Sequence, residues 1–458
     1  MQERLSQLRR TFESGTTSGY SWRRAQLLAL QRFLVEKEKD IADAVRRDFG
    51  KSNAETFLTE TAFVRGEVRH CLLRLRKWMR PERVFLPLHY QFGRASIEPR
   101  PLGTALVIGA WNYPVNICLS PLVGALAAGN CVVLKPSEHA PHTSRIIAEG
   151  IAGYLDETAV AVFQGGVEET KALLGERFDC IFYTGSRRVG AEIMHAASRS
   201  LIPVILELGG KSPCIVEKDA CIRTAARRIV WAKFLNAGQT CIAPDYLLVH
   251  RDAAEELFLH MKEAIGKFYG PDPEKSADYP RIVSERHFDR LESFMGTGEI
   301  VTGGTRDRKA LYISPTVISG VSPDDPVMME EIFGPVLPVM TYETIDEALA
   351  LLRLNPDPLA VYLFTSDNAV IRSLSGAIRS GGFCINDLLF QSAIHGLPFG
   401  GTGASGFGRY HGKAGFDAFS YRRSMLQRSN FPDPDLRYPP YGRLKFGLLR
   451  KIVEMFDY

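Results

Sequence analysis

Between Leu102 and Ile385 the chain alternates short, apolar, β-rich runs with helical stretches, and this alternation limits the fold more than any other feature of the sequence. Strands separated by a helix's length of chain cannot pair as hairpins. They pair in parallel through right-handed crossovers, and ligands bind outside the strands' carboxyl ends. The apolar runs lie at 104–109, 130–134, 159–163, 179–183 and Val204–Leu208, with helical stretches at 119–128, 143–154 and from about 189. A second strand–helix series runs from Gly209-Gly210 to about 385, with 353–358 as a loop inside it. An α/β fold built on parallel sheets is therefore expected.

The flanks read differently. Residues 1–80 are helical, with Trp22, Leu27, Leu30, Leu34, Ile41 and Val45 near helical spacing and Gly50 as a stop. Pro81 and Pro87 break that pattern, and 91–98 alternates as a short hairpin strand. The stretch 396–412 has no period and reads as an ordered glycine-rich loop. A length of 458 residues suggests two or three domains. The net charge of +4 gives no case for nucleic-acid binding. No apolar run is long enough to span a bilayer, and the first fifteen residues lack a signal core, so a cytoplasmic location is expected. Eight cysteines are scattered without a CxxC pair, so neither a metal site nor a disulfide framework is expected.

Five local patterns carry chemistry. Asn236-Ala-Gly-Gln-Thr-Cys241 places a cysteine in a loop where Gly238 permits a sharp approach. A nucleophilic thiol needs positive potential or amide donors nearby. Glu207-Leu-Gly-Gly-Lys211 ends a strand with a carboxylate suited to activating water. Asn112, in Trp111-Asn-Tyr-Pro114, offers a neutral donor suited to an oxyanion. Gly185-Ser-Arg-Arg-Val-Gly190 and Lys135-Pro-Ser-Glu138 each follow a strand, where a pyrophosphate or a ribose could sit. Each pattern alone is equally an ordinary turn, cap or buried thiol.

Together they resemble one family. Trp111-Asn-Tyr-Pro, Ala128-Gly-Asn, Leu134-Lys-Pro-Ser-Glu, Leu206-Glu-Leu-Gly-Gly-Lys-Ser-Pro, Gly238-Gln-Thr-Cys and Glu330-Glu-Ile-Phe-Gly-Pro335 look like the signature blocks of aldehyde dehydrogenases, in that family's order. Cys241-Ile-Ala-Pro-Asp245 and Tyr410-His-Gly-Lys413 resemble the class 3, fatty-aldehyde branch. The resemblance implies two Rossmann-type parallel-sheet domains and a small β bridging domain. It places an NAD(P)-binding domain at 1–82 and 101–206, a catalytic domain at 207–385, and bridging segments at 83–100 and 386–430. A tail at 431–458 follows.

The resemblance also assigns roles. It implies Cys241 as nucleophile, Glu207 as general base, and Asn112 with the Cys241 N–H as oxyanion hole. Lys135 and Glu138 would face the adenine ribose; Gly185, Ser186 and Gly190 would lie by the pyrophosphate. Glu331 and Phe333 would hold the nicotinamide ribose and ring. Tyr113, Trp231 and Phe399 match positions lining the class 3 substrate tunnel, implying an apolar aldehyde. The cofactor is expected to be NAD or NADP, because Arg187 and Arg188 add charge where class 3 chains often carry Asn-Thr. A homodimer is implied.

In the tail, Leu444, Leu448, Leu449, Ile452, Val453 and Phe456 share one helical face beside basic residues. That pattern suits docking on protein, or peripheral contact with a membrane. Two other readings share the scaffold: an acylating enzyme with coenzyme A as acceptor, against which Glu207 argues, and a silent scaffold protein, against which the trio Asn112, Glu207 and Cys241 argues. Cys241→Ala is expected to abolish aldehyde oxidation while leaving the fold and cofactor binding intact; substantial residual turnover would refute the assignment.

Overall fold

The computed structural model describes residues 1–86 and 93–456. Its first sheet holds six strands in the order Gly406–Phe407, Val204–Leu208, Cys180–Gly185, Thr104–Ile108, Cys131–Lys135, Val160–Val162. All neighbours are parallel except the two-residue edge strand Gly406–Phe407. Thr104–Ile108 and Cys131–Lys135 are buried along their whole length, as parallel strands covered on both faces must be. Successive crossovers run outward in opposite directions from the junction between Thr104–Ile108 and Cys180–Gly185, which makes that junction the topological switch point.

Helix Asn116–Ala128 has no polar face; it is buried from Ile117 to Ala128. The reason is packing on two further sides, against helices Ala62–Trp78 and Gly412–Ala418. A side chain at Gly124 would meet the Gly415 backbone at 3.0 Å, so glycine permits that approach. The helix expected from about 189 begins at Arg187, because Ser186 caps it by accepting from the Val189 N–H.

The second sheet has seven strands, ordered Glu299–Thr302, Thr316–Ser319, Val336–Tyr342, Tyr246–His250, Pro213–Val216, Ala360–Phe364, Gly382–Ile385. Only its Glu299–Thr302 edge is antiparallel. The apolar interior forms two clusters that divide between Leu208 and Cys214. A third, antiparallel sheet pairs Glu82–Val84, Gly93–Pro101 and Ser420–Arg428. Pro87, Gln91 and Phe92, which entered the hairpin expectation, lie outside the described residues.

The expected bridging segment 386–430 is corrected by the structure, which divides it. Leu388 and Leu389 join the second core, while Tyr410, Phe416 and Phe419 join the first. Gly406–Phe407 extends the first sheet, and only Ser420–Arg428 pairs with Gly93–Pro101. The cause is the burial of large aromatic side chains in a stretch whose glycines hide any period. The tail forms the expected helix Arg443–Phe456, with Leu444, Leu448 and Val453 exposed; the Phe456 side chain is not among the described ones. Among the described residues, no helix is long and apolar enough to cross a membrane.

Candidate active site

The sheet topology gathers the sequence motifs. Trp111-Asn112-Tyr113, Lys135, Gly185-Ser186 and Glu207 all lie at or just beyond carboxyl ends of the parallel strands in the first sheet. The cysteine loop comes from the other half of the molecule, after helix Ile222–Phe234.

That loop contains a left-handed turn. Asn236, Ala237 and Gly238 take φ of 53°, 50° and 74°. Each non-glycine residue there costs about 1–2 kcal/mol, so surrounding bonds must impose the shape. They do. The Asn236 N–H donates to Glu55 Oε1 at 2.9 Å, and Asn236 Nδ2 donates to the carbonyls of Asn112 (2.8 Å) and Gln239 (3.1 Å). The Gln239 amide donates to the carbonyls of Asn236 and Arg281 and accepts from the Val283 N–H. Asn112 Nδ2 donates to the Gln239 carbonyl at 3.0 Å, and the Tyr113 hydroxyl lies 2.6 Å from Thr240 Oγ1. The turn thus carries Cys241 to the Asn112 loop and holds it there.

Of the two aids expected for the thiol, positive potential or amide donors, the amides are present. No cation sits among the groups acting most on Cys241. Burial pushes its thiol up to about 12, Glu331 and Glu207 add to the rise, and the amides of Cys241 and Ile242 oppose it. The Cys241 thiol is thus held in its neutral form, with two carboxyl groups nearby. Glu207 is buried, and neither of its oxygens has a hydrogen-bond partner. Burial lifts its carboxyl well above the usual range, with Arg409 pulling weakly the other way. Glu331 is raised to about 8 by enclosure and then by Asp245, while the Gly210 amide opposes the rise.

The residues present fit a dinucleotide. Helix Arg187–Ser198 points its N-terminus at the switch point, a site favourable to phosphate. A Cβ at Gly185 would lie 2.2 Å from the Tyr183 hydroxyl, and one at Gly190 would lie 2.8 Å from Leu208. The first glycine therefore opens the loop, and the second lets helix pack on strand. Lys135 is buried with Nζ bonded to the Pro136 carbonyl at 3.0 Å and 3.6 Å from Glu138 Oε2, which leaves donor capacity beside an exposed carboxylate. Arg187 turns to the Ala404 carbonyl and Arg188 to Glu192, so both are engaged elsewhere. Glu331 lies against Gly209, where a Cβ would be 2.0 Å from its Oε2. Phe333, at φ 51°, meets Trp111 edge-on.

The three aromatic residues read as substrate-lining have different surroundings. Phe399 lines a cavity of about 210 Å³ with Ile242, Phe383, Gln391, Leu397 and Gly400. Trp231 is part-exposed and stacks on Phe390 with centroids 5.6 Å apart. Tyr113 is buried beneath Lys51, with its hydroxyl on Thr240.

Two contributors, Lys211 and Asp245, stand in quoted motifs that gave them no role. Lys211 Nζ donates to Asp245 Oδ2 (2.5 Å) and to the carbonyls of Val327 and Glu330, while Asp245 Oδ1 accepts from the Ile332 N–H. This buried pair ties the Glu207, Cys241 and Glu331 loops together. Lys211 stood in a quoted motif, but nothing there indicated its partner.

Fold and site together define an NAD(P)-dependent oxidoreductase acting on aldehydes. The chain belongs to the aldehyde dehydrogenase family, whose model matches residues 5–425. Aldehyde dehydrogenase family 3 member H1 of Arabidopsis thaliana is 44% identical, the match covering 99% of this chain and 95% of that protein. Family 3 member B1 of Homo sapiens is 45% identical, over 98% and 97% respectively. The substrate-bound state of AldH from Staphylococcus aureus superposes with a TM-score of 0.96 at 39% identity, covering 99% of each chain. An indole-3-acetaldehyde dehydrogenase solved with NAD+ gives 0.85 at 28% identity, over 93% of this chain and 88% of that one.

Gly238→Ala tests the turn. The new Cβ would lie 2.2 Å from the Gly334 carbonyl oxygen, in backbone that disfavours a side chain. The turn must shift, and kcat should fall by about 10²-fold, the usual cost of misplacing a reacting group. Steady-state kinetics near the parent's would show that the turn does not set the geometry.

Proposed function

We propose that this enzyme oxidises an apolar aldehyde to its carboxylic acid through a thioester on Cys241 that water, activated by Glu207, hydrolyses. The observation that carries the reading is Glu207 itself: a buried carboxyl with both oxygens unpartnered, acting on the Cys241 thiol. A group so placed costs stability and serves no structural bond. The oxidised nicotinamide, when bound, supplies the hydride acceptor and a positive charge near Cys241. Lys135 and Glu138 would hold the adenine ribose, Gly185 and Ser186 the pyrophosphate, and Glu331 and Phe333 the nicotinamide end.

Cys241 Sγ, its proton passed to solvent, forms the C–S bond to the aldehyde carbon as the C=O π bond opens. The carbonyl oxygen gains the charge, and Asn112 Nδ2 with the Cys241 N–H receives it. One Asn112 amide proton is already held by the Gln239 carbonyl, which aims the other. After oxidation to the thioester, Glu207 takes a proton from water as the hydroxyl adds to the same carbon, and Cys241 leaves as thiolate. Because burial raises the Glu207 pKa, its base form is gained at higher pH than an ordinary carboxyl's, so deacylation accelerates as pH rises through that raised value.

The cofactor is proposed to be either NAD or NADP. Glu138 is exposed enough to swing aside from a 2′-phosphate, and Lys135 remains beside it. A second copy of the chain is proposed as partner. Strand Ser420–Arg428 forms an edge of the third sheet, and the tail helix exposes Leu444, Leu448 and Val453. Unpaired edges and apolar faces of this kind invite pairing.

Glu207→Gln should release a single burst of reduced cofactor and then stall, losing the pH-dependent rise in turnover. Stopped-flow fluorescence checks this, and continued turnover at the parent rate would place the base elsewhere. In an aldehyde series, kcat/KM should climb roughly fourfold per CH2, the equivalent of about 0.8 kcal/mol of burial, with both cofactors, until the cavity fills. A flat series would rule out the apolar pocket, and an NAD preference beyond about a thousandfold would rule out dual use. Repeating the series with the chain ended at Asn430, alongside gel filtration and liposome sedimentation, assigns the tail: loss of the dimer supports the second copy, loss of liposome binding a membrane.

A further inference from the structure

Two charged residues outside the site just described are fully buried. Lys51 and Glu60 have side chains with no exposure, and Lys51 Nζ lies 3.0 Å from Glu60 Oε1. The remaining valences of the pair all point at one segment. Glu60 Oε2 accepts from the N–H groups of Val115 (3.1 Å) and Asn116 (2.9 Å). Lys51 Nζ donates to the Asn112 carbonyl at 3.4 Å and stands 4.2 Å over the Tyr113 ring. The pair grips residues 112–116 at both ends, a carbonyl at the start and two amides at the finish.

The helix that carries Glu60 is built for this. Residues Phe57–Thr61 form a π-helical turn, with the Ala62 N–H reaching back to the Phe57 carbonyl. In an ordinary α-helix residues five apart diverge by about 140°, whereas a π turn brings them toward one face. Glu55 and Glu60 are five apart, and both are buried. Glu55 holds the Asn236 N–H, and Asn236 holds the Asn112 carbonyl that Lys51 also reaches. One helical stretch therefore supports both loops of the site.

Burial of an ion pair seldom stabilises a fold more than apolar packing of equal volume. An apolar pair here would fill the space. It would not accept two amide protons, nor donate to the Asn112 carbonyl. We infer that Lys51 and Glu60 are positioning residues for the oxyanion hole: by fixing the backbone from Asn112 to Asn116, the pair holds the aim of the Asn112 carboxamide. The inference rests on the reading of Asn112 as an oxyanion donor.

The test compares Lys51→Met, Glu60→Gln, Asn112→Ala and the double variant Lys51→Met/Asn112→Ala in the full chain. The readouts are the pre-steady-state burst of reduced cofactor, the cofactor Kd by fluorescence titration, and circular dichroism for fold. Lys51→Met and Glu60→Gln are each expected to slow the burst by about tenfold or more, as lost alignment does, with the cofactor Kd within about twofold of the parent's. In the Asn112→Ala background, Lys51→Met should add less than about threefold, because residues acting as one unit are not additive. Glu60→Gln keeps an acceptor for the two amides, so it carries the test if Lys51→Met does not fold. Parental bursts in Lys51→Met and Glu60→Gln, beside a slow Asn112→Ala, overturn the inference and leave the oxyanion reading standing. A full multiplicative loss in the double variant overturns it too, as does a cofactor Kd that weakens in step with the burst. A parental burst in Asn112→Ala removes the oxyanion reading, and the inference with it.

Discussion

One carbonyl oxygen, that of Asn112, joins the two halves of the molecule. It accepts from Asn236 Nδ2 in the second half and from Lys51 Nζ behind it, while the Asn112 side chain reaches back to the Gln239 carbonyl. Neither loop has regular structure of its own to hold it. The strained turn at 236–238 and the 112–116 segment keep their shapes because each satisfies the other's buried polar groups. Buried, water-excluded networks of this sort must be complete to be stable. Completeness here means that a nucleophile and an oxyanion donor from separate sheets meet without depending on either sheet's exact placement.

The charge pattern has the same logic. A free thiolate in an enclosed pocket facing Glu207 and Glu331 would be costly, and the resting protein avoids it by keeping the thiol protonated. Glu207 and Glu331 are likewise held up by burial. A neutral, enclosed thiol reacts slowly with oxidants and electrophiles, because the thiolate is the reactive form.

Much of the architecture was legible in the sequence because parallel strands leave continuous apolar runs. The strands at 104–108, 131–135 and 180–185 fell within two residues of their expected bounds, and the motifs after them fell at carboxyl ends, where crossovers put ligands. The cysteine loop was legible through its glycine. Its supports were not. Lys51, Glu55 and Glu60 look like any solvated helix face, and only tertiary packing shows that they point inward. The division of 386–430 was hidden for a related reason, since Tyr410, Phe416 and Phe419 sit among glycines with no period to announce them. Of the two aids expected for the thiol, positive potential or amide donors, the chain supplies the amides of Cys241 and Ile242.

The edge strand Gly406–Phe407 carries a consequence for how such an enzyme can diversify. It pairs with Leu206 and Glu207, and it follows directly from the loop in which Phe399 and Gly400 wall the cavity. Gly400 also stands against the base, for a Cβ there would lie 2.8 Å from Glu207 Oε1. The cavity wall and the carboxyl proposed as base are therefore neighbours through one strand pair, the wall leading into Gly406–Phe407 and Glu207 standing on the strand beside it. A substitution that reshapes this wall for a new aldehyde thereby presses on the proposed base as well, which couples selectivity to product release.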